Sequence, residues 1–203
     1  MKIVGVEIYK ADIPLVAPFR IALGETTVAE NVLIKINTDE SLYGMGEASP
    51  FTPIVGETQA TDLAAAQDLA KLLIGKNPLD IERRLHELKS YLVHNATVRS
   101  AFDMALYDLL GKAAGLPLYA VLAGGKRTIL TDRTVGIDTT EKMVKEALAL
   151  KERDFPAVKV KLGTTPEEDI ERIRRIREAL GPEIPLRIDA NQGWDCVSAL
   201  QAL

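Results

Sequence analysis

From residue 126 onward the chain repeats one pattern three times: an apolar strand, a capping signal, then a helix. Ile129–Ile137 reads as the first strand, and Asp138-Thr139-Thr140-Glu141 follows it as a capping box opening a helix. Pro156–Leu162 reads as the second strand; Thr165-Pro166-Glu167-Glu168 then caps a helix that runs to Leu180 and stops at Gly181. Pro185–Ala190 reads as the third strand, with Asp195 capping a helix that begins at Cys196. Strands separated by helices at roughly 25 to 30 residues per unit belong to a parallel sheet, because the crossover is too long for a hairpin.

The first 125 residues follow a different rule. Residues 2–13 alternate apolar with polar and suggest a strand ending at Pro14. Residues 15–29 read as a loop, and 31–38 and 41–48 as two further strands joined by an Asp39-Glu40 turn, which makes an antiparallel meander. Ser49–Gly56 is a second loop, apolar but broken by prolines, and its composition predicts that it is buried. Helices are expected over Thr58–Ile74, from Pro78 to His94 with Asn77 as cap, over Asn95–Ala114, and over Leu116–Leu122. In the third of these, Val98, Ala101, Phe102, Ala105, Leu106, Leu109 and Leu110 fall at helical spacing, and Asp103 and Asp108 read as solvated or pairing groups. The expected organisation is therefore an α+β domain over 1–125 and a β/α part-barrel over 126–203.

A net charge of −4 with interspersed signs offers no surface for nucleic acid or an anionic membrane. The opening Met-Lys-Ile-Val-Gly-Val-Glu places charge inside its apolar run, unlike a signal peptide. Cys196 is the single cysteine, so no disulfide framework is expected within the chain, and a reducing cytoplasm is the simplest setting. His86 and His94 lack partners at zinc-ligand spacing and read as surface residues.

The chemistry gathers where the parallel strands end. In Ala157-Val158-Lys159-Val160-Lys161-Leu162-Gly163, residues two apart share a face, so Lys159 and Lys161 project side by side while Val158, Val160 and Leu162 pack the other way. Two neighbouring ammonium groups repel, and burial adds to the cost of charging them; both effects favour a lysine that accepts protons. Asp189 and Asn191 form a second i, i+2 pair, and a carboxylate with an amide oxygen suits a hard cation such as Mg²⁺.

Lys159-x-Lys161 followed by Asp189-Ala190-Asn191 resembles the muconate-lactonizing branch of the enolase superfamily. The resemblance extends to Gly46-Glu47-Ala48-Ser49-Pro50 and to Ala101–Pro117, and covers essentially the whole chain. Thr131-Asp132-x-Thr134-Val135 and Ile188-Asp189-Ala190-Asn191-Gln192-Gly193-Trp194 look most like dipeptide epimerases. The resemblance implies an isomerase with a capping domain and a TIM-like barrel. Its reaction would be proton abstraction α to a carbonyl and two-base racemisation, with an enolate stabilised by Mg²⁺. By that resemblance Lys161 is an acid/base, Lys159 assists it and contacts substrate, and Asp189 is a metal ligand. Thr134 contacts substrate, and the loops carrying Arg20, Gly24 and Ile54 set specificity. It also implies a dipeptide as substrate and assembly into a homo-oligomer. Position 24 is glycine where relatives acting on Ala-Glu-type dipeptides can carry a basic residue, which leaves the dipeptide class open. The family's other metal carboxylates and its second lysine have no counterparts in these 203 residues, so the chain alone is expected to be inactive. Muconate cycloisomerase or o-succinylbenzoate synthase chemistry is the alternative within the same class. A fragment acting only by association is the alternative outside it.

Overall fold

In the computed structural model, which describes residues 1–203, β1 (Ile3–Ile21), β2 (Gly24–Thr38) and β3 (Tyr43–Ala48) form one sheet in that order. β2 and β3 pair antiparallel from Val32 opposite Ala48 to Asn37 opposite Tyr43. The expected loop over 15–29 is instead hairpin. β1 continues through Pro14 and Pro18, Ala22 and Leu23 make the turn, and β2 starts at Gly24. Proline lacks a backbone donor, but β1 lies at the sheet edge, where an outward-facing position has no ladder bond to lose.

Five helices follow: α1 (Thr52–Val55), α2 (Gln59–Leu73), α3 (Ile81–Tyr91), α4 (Ala96–Ala114) and α5 (Leu118–Val121). The apolar stretch around α1 is not buried as its composition predicts; Ile54 is 51% exposed. Its backbone closes locally, Val55 N–H on Phe51 and Gly56 N–H on Thr52, with Gly56 left-handed at φ 72°, so burial is not needed to satisfy it. α3 begins three residues later than Pro78: Asn77 Oδ1 accepts the Leu79 N–H at 3.1 Å, which makes a turn rather than a cap. In α4 the predicted apolar face is buried except for Leu110, which is partly exposed, and it packs on β3, where Gly44 and Gly46 face the Ala105 and Ala101 carbonyls. Asp108 pairs with Lys112 and accepts the Met45 N–H, as expected of a pairing group. Asp103 does not: its Oδ1 is buried without a donor, and burial raises its carboxyl above the usual range. His86 and His94 are exposed, as expected.

Glu57 and Asp62 are both buried just before and within the first turn of α2. Glu57 accepts the Thr97 N–H at the start of α4, whereas neither Asp62 oxygen meets a donor. Burial first, then Glu57, whose carboxylate accepts a hydrogen bond only from a protonated Asp62 and repels an ionised one, push the Asp62 carboxyl up to about 7. A folded-state value above the unfolded one means the folded state holds the extra proton. The stability this provides is complete below about pH 4 and is lost as pH rises towards 7. Asp62→Asn, whose amide donates at any pH, is expected to raise stability at pH 8 by at least about 1 kcal/mol and to flatten its decline between pH 4 and 7. Urea titrations at several pH values measure both; an unchanged pH slope refutes the extra proton on Asp62.

The remaining elements are β4 (Arg133–Val135), α6 (Thr140–Glu152), β5 (Val158–Lys161), α7 (Pro166–Leu180), β6 (Leu186–Asp189) and α8 (Cys196–Ala202). β4, β5 and β6 form a parallel sheet in that order, as the strand–helix repeat predicts. β4 is shorter than the expected Ile129–Ile137, because only β5 pairs with it; Ile129 and Leu130 are each 75% exposed. Thr139 rather than Asp138 caps α6, while Thr165 and Asp195 cap α7 and α8 as expected. Val158, Val160 and Leu162 bury in one core with Met143 of α6 and Ile176 of α7. Each such side chain contributes about 1.5–3 kcal/mol.

The chain divides into two compact units: Met1–Pro14 with Val28–Arg127, and Leu15–Thr27 with Thr128–Leu203. The hairpin tip thus belongs with the parallel sheet, and the Ile137 N–H donates to the Arg20 carbonyl at 2.9 Å. No helix is long and apolar enough to cross a membrane.

Candidate active site

Alternation along β5 sends Val158 and Val160 into the core and both lysines to the opposite face. Parallel register then sets Lys161 beside Asp189, the last residue of β6. The Nζ atoms of Lys159 and Lys161 each lie 2.8 Å from the same Asp189 Oδ2. The sequence predicts two ammonium groups facing each other; the fold inserts a carboxylate between them, which offsets their repulsion. The hydrogen bond from Lys159, then that from Lys161, holds the Asp189 carboxyl well below the usual carboxylate range. Lys161 is the buried member of the pair, and Lys159 the more accessible one.

Beyond Asp189 the chain turns through two left-handed residues, Asn191 at φ 46° and Gln192 at φ 66°. The Asn191 N–H donates to Asp189 Oδ1 at 3.0 Å, while its own side-chain Oδ1 is buried with no partner. A buried acceptor without a donor is what a cation would satisfy. Asp189 and Asn191 offer hard oxygen atoms of the kind Mg²⁺ takes, both Asp189 oxygens accept protein hydrogen bonds, and no group of three acidic, histidine or cysteine residues forms a full cage.

Thr134 sits on β4 directly opposite Lys159 and completes this strand-end group. Thr131 and Asp132 precede the strand, and Asp132 pairs with Arg187 of β6 at 2.7 Å. Arg20 and Gly24 lie on the hairpin; Arg20 makes an ion pair with Glu25 at 2.6 Å and none with the strand-end residues. Ile54 belongs to the other unit, on α1.

Asp169 was not predicted from the sequence. It is 1% exposed, on α7, and accepts bonds from the turn after β5 and from Trp194 after β6. As the third acid in a helix's first turn it reads as a dipole partner. The signal that could have found it is its spacing: Asp169, Arg172 and Ile176 fall at i, i+3 and i+7, which puts a charged pair on the buried face.

Residues 3–123 match the mandelate racemase / muconate lactonizing enzyme N-terminal domain, and residues 142–203 match the enolase C-terminal domain-like family. The chain belongs to the mandelate racemase / muconate lactonizing enzyme family. This is the enolase-superfamily membership that the lysine and aspartate motifs imply. Among its relatives in that family, the D-Ala-D/L-Ala epimerase of Cytophaga hutchinsonii is 47% identical over 204 residues, covering 100% of this chain and 55% of that protein. The hydrophobic dipeptide epimerase of Enterococcus faecalis is 41% identical, covering 100% of this chain and 58% of that one. A crystal structure of the Cytophaga hutchinsonii dipeptide epimerase, complexed with Mg and the dipeptide D-Ala-L-Val, superposes with a TM-score of 0.97 over all of this chain and 55% of that one. The chain thus spans about half the length of these family members.

Proposed function

We propose that the chain is the N-terminal portion of a Mg²⁺-dependent dipeptide epimerase, with residues 1–125 as its capping domain and 126–203 as the start of its barrel. The observation that carries this is the meeting of Lys159, Lys161 and Asp189 at one end of a parallel sheet. Lys161 exchanges a proton with the α-carbon from one face of the substrate. Lys159, beside it, places a second positive charge where negative charge builds on the carbonyl oxygen. Asp189 and Asn191 hold Mg²⁺, whose charge, when bound, lowers the cost of that oxygen's anionic state. Thr134 contacts the substrate next to Lys159, and the segments bearing Arg20, Gly24 and Ile54 shape the dipeptide preference. The opposite-face base and the remaining ligands come from a further part of a longer protein, which works in the cytoplasm as a homo-oligomer.

The test is α-proton exchange in deuterated buffer with a library of Ala-X dipeptides. The complete protein is expected to incorporate deuterium at the α-carbon only when Mg²⁺ is present, and the 203-residue chain alone is expected to incorporate none. Absence of exchange from the complete protein across the library overturns the reading.

A further inference from the structure

The Asp169 carboxylate collects donors from two separate strand ends. Oδ2 accepts the backbone N–H of Gly163 at 2.8 Å and of Thr164 at 3.2 Å, both just past the lysine strand, and the Trp194 indole N–H at 2.9 Å, just past the Asp189 strand. Oδ1 accepts the Thr164 hydroxyl at 3.1 Å and the Arg172 guanidinium at 2.7 Å. The two turns also touch through backbone: a Cβ on Gly163 would stand 2.3 Å from the Ala190 carbonyl oxygen, and one on Gly193 would stand 2.4 Å from that of Gly163. Between turns and strands, the Leu162 N–H donates to the Asp189 carbonyl at 3.0 Å. An unbroken run of contacts therefore leads from the carboxylate of Asp169 to the backbone of the two residues that carry the candidate chemistry.

We infer that Asp169 is a positioning residue: it fastens the turn leaving β5 to the turn leaving β6 and so fixes the separation of Lys161 and Asp189. The assignment rests on the proposed function only in calling that pair reactive. A carboxylate suits the task because two ionised oxygens accept from several donors at once. An amide offers one acceptor oxygen and turns an NH₂ group against donors already present. Position 169 also aims its side chain back over the turn N-terminal to it, where Gly163 and Thr164 lie.

Trp194 is the only tryptophan, so its fluorescence reports the clamp directly. In Asp169→Asn the 203-residue chain is expected to keep its far-UV circular dichroism, to red-shift its Trp194 emission, and to expose Lys161. Lys161 acylation by an amine reagent, read by mass spectrometry, is expected to be at least about threefold faster than in the parent, as a local opening requires. Ile176→Val, which trims the same helix at a fully buried site away from the clamp, is expected to lower the urea midpoint and to leave both readouts unmoved. A folded Asp169→Asn with parent-like emission and Lys161 acylation overturns the inference. If Asp169→Asn does not fold, Trp194→Phe decides, since it removes the indole donor, with part of the bicyclic ring, and keeps an aromatic ring against the core. Faster Lys161 acylation in that variant supports the clamp, and an unchanged rate refutes it. None of these readouts needs turnover, so failure of the clamp is distinguishable from failure of the epimerase assignment.

Discussion

Gly46→Ala is expected to lower the stability of the first unit by more than about 3 kcal/mol, beyond the usual cost of overpacking a core. A Cβ at this position would lie 1.8 Å from the Ala101 carbonyl oxygen and 2.8 Å from its carbon. Both obstacles are backbone of α4, which can retreat only by opening the core that its buried face fills. A flexible side chain would swing aside, but a helical carbonyl has no such freedom. Gly44 is in the same position, with the Ala105 oxygen 2.0 Å away, so Gly44→Ala is expected to be comparably severe. Gly5→Ala, on β1 with open space around the added carbon, is the control and is expected to cost little. Urea denaturation of the three variants provides the comparison; a Gly46→Ala midpoint near that of Gly5→Ala would show that β3 and α4 do not meet as closely as described.

In the complete protein, Lys161→Ala is expected to reduce epimerisation, and α-proton exchange of the epimer whose α-hydrogen faces Lys161, by at least about 10³-fold, the scale on which a positioned acid or base acts. The loss comes from removing the proton carrier and not from unfolding. Asp189 keeps Lys159 as a cationic partner at 2.8 Å, so no buried carboxylate is stranded. Parent-like circular dichroism together with absent deuterium incorporation into that epimer is the expected pair of results. Exchange of that epimer within tenfold of the parent value would remove Lys161 from the mechanism and, with it, the reading of the strand-end lysines.

The two elements that periodicity defines most sharply were legible from the residues alone. The buried face of α4 follows a helical repeat, and β5 alternates with lysines outward and valines inward. Proximity of Lys161 to Asp189 was legible too, because adjacent parallel strands align their ends. The single carboxylate bridging both lysines was not, since it depends on rotamers and on register to within one residue. Pro14 and Pro18 misled for a different reason: whether a proline ends a strand depends on whether that strand lies at an edge, which is a property of the sheet. The Ser49–Gly56 loop misled because apolar composition predicts burial only when the backbone cannot satisfy itself, and α1 does so in one turn. Asp169 and Asp62 share a third cause. An acid early in a helix has an ordinary explanation, and only tertiary packing reveals that each is buried.

The hairpin tip has a consequence for how the chain is made. Leu15–Thr27 belongs to the second unit, whose other residues begin only at Thr128. Ala22 packs where Gly163 and Gly193 leave room for it, and the Arg20 carbonyl receives the Ile137 N–H. A ribosome therefore releases this piece of the second unit more than a hundred residues before the strands it joins. During that interval the apolar tip has none of its second-unit partners, and it packs on that unit only when the later residues arrive. Cutting the gene between the units would not yield two self-sufficient halves, because the second would lack the strand tip that was translated first.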